Sequence, residues 1–144
     1  MSYSLYQFNS FDDLLRYIDA QIANLQKVIS QLEQRYEAVK ARAEKMRMIE
    51  KVLEDLMGEK LTTLNEIDYM GLKVVVNARA IDELNVLEET LESQKDTLES
   101  LTSVREAIYK LSSALSSSSE TEGLPIIVQM LNGIPVRILL KETE

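Results

Sequence analysis

The sequence predicts a mainly α fold with a small β part: a long two-helix antiparallel coiled coil, a short strand between the helices and a C-terminal β-hairpin. Three observations predict it. Apolar residues between Phe11 and Met57 recur at alternating steps of three and four, a second such series runs from Leu84 to Leu115, and an Asn-Gly pair at 132 and 133 divides two strand-like runs. With 144 residues, 45% apolar and 28% charged, the chain has the composition of one folded domain over residues 1–144 rather than of a disordered segment.

The first helix is read over residues 11–57. Leu15, Ile18, Ile22, Leu25, Ile29, Leu32, Tyr36, Val39, Ala43 and Met46 form a heptad seam over four heptads, long enough to favour a coiled coil over an ordinary amphipathic helix. Ser10 with Asp13 three residues later resembles a capping box, Asp12 and Asp13 suit the positive start, and Gly58 can end the helix in a left-handed conformation. At ~1.5 Å per residue the helix is about 70 Å long.

The second helix is read over residues 78–115, with Asn77 as N-cap and a seam through Leu84, Leu87, Leu91, Gln94, Leu98, Leu101, Val104, Ile108, Leu111 and Leu115. Each seam has one place where two three-residue steps follow each other, at Ala43, Met46, Ile49 and at Leu98, Leu101, Val104. These places fall about 13 Å out of line in a simple hairpin at 1.5 Å per residue. Either the helices are staggered, or their main partners come from another chain.

Residues 58–77 form a short β-containing connection. Gly71 opens the run Leu72 to Asn77, where Val74, Val75 and Val76 favour a strand; residues 61–67 read equally as helix or strand. Ser112 to Glu122 holds six serines among its first eight residues, which gives a linker over 116–123. The hairpin spans 124–141. A two-residue type I′ turn at Asn132 and Gly133 sets Leu131 opposite Ile134, Met130 opposite Pro135, Val128 opposite Arg137 and Ile127 opposite Ile138. One face then carries Ile127, Leu131, Ile134, Val136, Ile138 and Leu140, the other Ile126, Val128, Met130 and Leu139. A hairpin apolar on both faces needs a cover. The N–H missing at Pro135 would point away from its hairpin mate, so a third strand is expected beside residues 125–131. The expected donor is residues 72–77 of a partner copy.

Composition narrows the chemistry. No Cys and no His means no disulfide, no thiol nucleophile, no imidazole base and no zinc site of the usual ligands. The glycines are isolated at caps and turns, unlike phosphate-cradling loops. Glu88 and Glu92, one turn apart, are the remote candidates for a carboxylate-based enzyme or metal site, although no histidine completes such a pattern. The reading is therefore no enzyme, no cofactor and no metal. A net charge of −8 repels phosphate backbones. Lys40, Arg42, Lys45, Arg47 and Lys51 alternate with Glu37, Glu44, Glu50 and Glu54 and read as an ion-paired helix face. No apolar run is long enough to span a bilayer, and the opening residues lack a signal-peptide pattern, so the expectation is a cytoplasmic protein with no nucleic-acid and no membrane partner.

A long helix to residue 57, a β segment around 67–77, and a second long helix beginning ARAIDELNVLEETLESQKDTLESL resemble a prefoldin subunit over roughly residues 11–115. The resemblance implies assembly through the β segments and capture of unfolded chains at the helix tips. The partners expected are thus the chain itself or a related coiled-coil subunit, and unfolded or partner proteins. Candidate oligomer-interface residues are Ile22, Leu25, Ile29, Leu32, Tyr36, Val74, Val76, Leu91, Leu98, Ile126, Val128 and Ile138. Tyr3, Leu5, Tyr6 and Phe8 are the candidate client-binding residues. The alternative function is a scaffold or assembly adaptor held together permanently by the coiled coil and hairpin.

Overall fold

The computed structural model describes residues 2–57, 65–76, 79–116 and 125–141. It is mainly helical. The elements are β1 (Tyr3–Phe8), α1 (Phe11–Met57), β2 (Asn65–Tyr69), β3 (Leu72–Val76), α2 (Ala80–Leu115), β4 (Ile126–Leu131) and β5 (Ile134–Leu140). The residues gather into two compact units: a terminal unit of Met1–Ile29 with Ser93–Glu144, and a central unit of Ser30–Glu92. Each has its own apolar cluster.

In the terminal unit, a three-stranded antiparallel sheet of order β1-β4-β5 is covered on one face by the start of α1 and the end of α2. Leu14, Leu15 and Ile18 of α1 meet Ile108 of α2 and Ile126, Val128 and Met130 of β4, with Phe8, Phe11, Tyr17, Ile22, Val104 and Ile138 around them. Ser10 caps α1, its Oγ accepting from the Asp13 N–H at 3.1 Å, which is one half of the expected box.

The hairpin turn is as the sequence indicates, with φ of +52° at Asn132 and +82° at Gly133. Its register differs from the regular one. Leu131↔Ile134 and Met130↔Pro135 hold, but the ladder then shifts to Gln129↔Arg137, Val128↔Ile138, Ile127↔Leu139 and Ile126↔Leu140. Val136 is the extra residue of a bulge, and one inserted residue moves everything beyond it to the opposite face. Ile138 therefore joins Val128 on the covered side, and Leu139 goes outward. The third strand does join beside Ile126–Leu131, but it is the chain's own β1, in the register Tyr3↔Leu131 through Phe8↔Ile126. Both edges of β4 are thus taken within one chain. Pairing of residues 125–131 with residues 72–77 of a partner is overturned.

In the central unit, Val39 and Ala43 of α1 pack with Leu84 and Leu87 of α2, flanked by Leu32, Tyr36, Ala80 and Ile81. The helices run antiparallel there: Arg42 pairs with Glu83, Tyr36 with Glu88 further along α2, and Glu50 with Arg79 at its start. Asn77, the expected N-cap, lies outside the described residues, as does Gly58; instead Arg79 occupies the cap position, its N–H donating to Asp82 Oδ2 at 2.8 Å. The connection contains a complete hairpin rather than a single strand, β2 pairing with β3 from Asn65↔Val76 to Tyr69↔Leu72. Its turn is Met70-Gly71, with φ of +48° and +87°. Methionine rarely takes a left-handed conformation, so the pair gives no turn signal in the sequence. The second helix ends at Leu115 as its seam indicates, Ser116 still donates its N–H to the Ser112 carbonyl, and the linker expected over 116–123 lies beyond Ser116 outside the described residues.

Two predictions follow from this packing. Ile29 is buried and Gln31 exposed, so Ile29→Asp should cost about 3 kcal/mol or more whereas Gln31→Asp stays near neutral; comparable melting temperatures would refute the seam. At Gly133 a Cβ would meet nothing within 4 Å. Gly133→Ala should then lose only the left-handed backbone preference, about 1–2 kcal/mol, measurable by denaturant titration.

Candidate protein-binding surfaces

Alternation along β1 and β4 divides the terminal unit's sheet into two faces. Ser4, Tyr6 and Phe8 share the covered side with Met130, Val128 and Ile126, whereas Tyr3, Leu5 and Gln7 share the outer side with Leu131, Gln129 and Ile127. Tyr6 and Phe8 are held by Tyr17 of α1, with ring centroids 5.8 and 5.5 Å away. Burial, then the charge and hydrogen bonding of Tyr6, push the Tyr17 phenol above its ordinary range. The expected client-binding quartet is therefore split. Phe8 packs against the core, Tyr6 is 43% exposed on the covered side, and Tyr3 and Leu5 stand exposed on the outer face.

Several expected interface residues are also used up inside the chain. Leu25, Ile29, Leu91, Ile126 and Val128 are buried without any partner copy, and Ile22, Leu32, Tyr36, Leu98 and Ile138 are half-buried. Val74 and Val76 lie in β3.

A surface absent from the sequence reading lies in the central unit. Beyond Ala43 the α1 seam ceases to be buried. Met46, Met48, Ile49, Val52 and Leu56 are all exposed, Met48 at 72% and Leu56 at 78%. Spacings of three and four place them in one stripe, with Met48, Val52 and Leu56 on a single ridge. The one sequence feature at this place is the Ala43, Met46, Ile49 step, two three-residue spacings in succession, after which the seam positions Met46 and Ile49 are exposed. Beside it lies an open cleft of about 1100 Å³ with Ala43, Met46, Ile81 and Val86 among its apolar lining and Arg42, Glu50, Arg79, Glu83 and Glu89 among its polar residues. Much of this rim is ion-paired: Glu83 accepts from both Arg35 and Arg42, and Arg79 pairs with Glu50. Arg42 thus finds its partner on α2 rather than on its own helix, and Lys40 sits 6.0 Å from the Tyr36 ring.

Glu88, one of the two remote catalytic candidates, accepts the Tyr36 hydroxyl at 2.9 Å, and this bond raises the tyrosine's pKa. Among the described residues no three acidic side chains gather as a metal-holding group, and no helix is long and apolar enough to cross a membrane. No family model, curated protein or solved structure matches the chain.

In the terminal unit, Arg105 clasps Asp19 with Nε at 2.8 Å and Nη2 at 3.3 Å. That hydrogen bonding holds the Asp19 carboxyl below the usual aspartate range. A carboxyl whose folded pKa is lowered stabilises above its unfolded pKa and loses that contribution as pH falls through the folded value. The gap in melting temperature between wild type and Asp19→Asn should therefore be present at neutral pH, narrow below about pH 4, and shrink in high salt because the pair is exposed. A gap independent of pH would show that the carboxylate charge is not what matters.

Proposed function

We propose that the chain is a non-catalytic, oligomer-forming protein-binding subunit, most simply a prefoldin-like holdase that keeps apolar segments of unfolded polypeptides from aggregating. The exposed stripe from Met46 to Leu56 carries this reading. Its two methionines are flexible and polarisable, which suits varied apolar segments, and the neighbouring open cleft is lined by both apolar and charged residues. The hairpin β2–β3 lies between the two long helices in sequence, where the resemblance expects a β segment. Client capture is assigned to the stripe instead of Tyr3 to Phe8, because β1 is committed to its own sheet.

Suppression of aggregation of a thermally or chemically denatured client tests the reading. Val52→Lys with Leu56→Lys places two charges on the ridge at exposed positions near the helix end, where cations are tolerated. The double variant should keep the wild-type melting temperature and need at least about fivefold more protein for equal protection, as expected when roughly 1 kcal/mol of apolar contact is lost. A wild-type chain that gives no protection overturns the holdase. The second reading, a permanent assembly scaffold, is favoured by the outer edge of β1, beside which no strand lies among the described residues, and it predicts stable self-association with no effect on clients.

A further inference from the structure

We infer that β1 is a dimerisation edge: two copies of the chain join β1 to β1, antiparallel, about a two-fold axis through Leu5, to make one six-stranded sheet. This rests on the oligomeric part of the proposed reading and adds the surface, the partner and the register.

The two outer edges of the sheet differ. Beside the hydrogen-bonded closing pair Leu131↔Ile134, the pair Met130↔Pro135 is non-hydrogen-bonded, so Pro135 removes an N–H from the free side of β5, and the bulge at Val136 kinks the same edge. Both are devices that discourage edge pairing. The β1 edge has neither. It pairs with β4 over six residues with no register shift, and among the described residues no strand lies on its other side.

Hydrogen-bond parity shows which groups are open. Asn132 donates its N–H to the Ser2 carbonyl at 2.9 Å, so Ser2, Ser4, Tyr6 and Phe8 turn their backbone groups toward β4. Tyr3, Leu5 and Gln7 turn theirs to the free edge. A second copy centred on Leu5 sets Tyr3 against Gln7, Leu5 against Leu5, and Gln7 against Tyr3, three hydrogen-bonded pairs with two bonds each. Centring on Tyr6 instead leaves only the two Leu5–Gln7 pairs in that role. The Leu5-centred register also places each Tyr6 opposite the small Ser4 of the other copy, on the covered face.

The self-matching register selects a second copy as the occupant, and local charge does not oppose it. Two chains of net charge −8 repel, and they meet at least cost along an uncharged segment. No charged side chain occurs from Ser2 to Phe11. The edge is also self-complementary under a two-fold, which an isologous interface requires.

The full chain, measured by light scattering and sedimentation, should be a dimer of 16.4 kDa subunits at micromolar concentration. Leu5→Pro removes one free-edge N–H while leaving every bond to β4 in place, and should weaken the dimer at least about hundredfold at unchanged helical circular dichroism. Leu5→Lys and Leu5→Glu each set like charges opposite at the axis and should be monomeric alone, then restore a dimer when mixed, since Lys then faces Glu. A monomeric wild type, with the edge left for a strand of another protein, overturns the inference and the oligomeric reading together. A dimer indifferent to all three substitutions overturns the edge alone and leaves oligomerisation standing on another surface.

Discussion

Ile126, Val128 and Met130 on β4 lose all solvent exposure, and the arrangement of the terminal unit follows from the need to cover them. Fully burying three such side chains is worth roughly 5–9 kcal/mol, comparable with the whole stability of a small domain. A hairpin cannot bury its own face. The cover comes from Leu14 and Ile18 at the start of α1 and Ile108 near the end of α2, which ties the two ends of the chain to one core. The bulge at Val136 serves the same face: without it, Ile138 would point outward and Val128 would stand opposite Arg137. The addition of β1 then satisfies the backbone groups along the other side of β4.

What was legible in the sequence is what depends on short-range pattern. The long helices, the Asn132-Gly133 turn, the cap at Ser10 and the vacant position beside β4 all follow from residue types at fixed spacings. The Val136 bulge does not, because an inserted residue is selected by which face must be buried, and that depends on helices far away in sequence. The strand β1 escaped for a related reason. Its outer side carries Tyr3 and Leu5, so apolar residues fall on both faces and period-two alternation is lost. The β2–β3 hairpin escaped because Met70 holds a turn position usually given to Asn, Asp or Gly. The seam residues expected as oligomer contacts show a further limit: periodicity tells that Leu25, Ile29 and Leu91 are buried, and the single chain buries them, but the pattern alone does not say which chain provides the cover.

Ion pairs between the helices fix alignment more than stability. Exposed pairs such as Arg42–Glu83 are each worth about 0–1 kcal/mol. Their value lies in the cost of misplacing them. In the central unit a slip of α2 by one turn would bring Glu88 and Glu83 out of reach of Tyr36 and Arg42. The small central cluster around Val39 and Leu84 would tolerate such a slip more readily on packing alone.

That small cluster also sets a limit on what the exposed stripe can do. The exposures of Met46, Met48, Ile49, Val52 and Leu56 together amount to about three side chains' worth of apolar surface, roughly 5–9 kcal/mol if fully covered. Association costs about 4–15 kcal/mol before any contact contributes. On the holdase reading one stripe would hold a client weakly and release it readily, while two or more stripes in one assembly would engage the same unfolded chain with an effective concentration that strengthens binding by orders of magnitude. On the holdase reading, self-association is thus part of the mechanism: the weakness of each site keeps binding reversible, and the number of sites makes it useful.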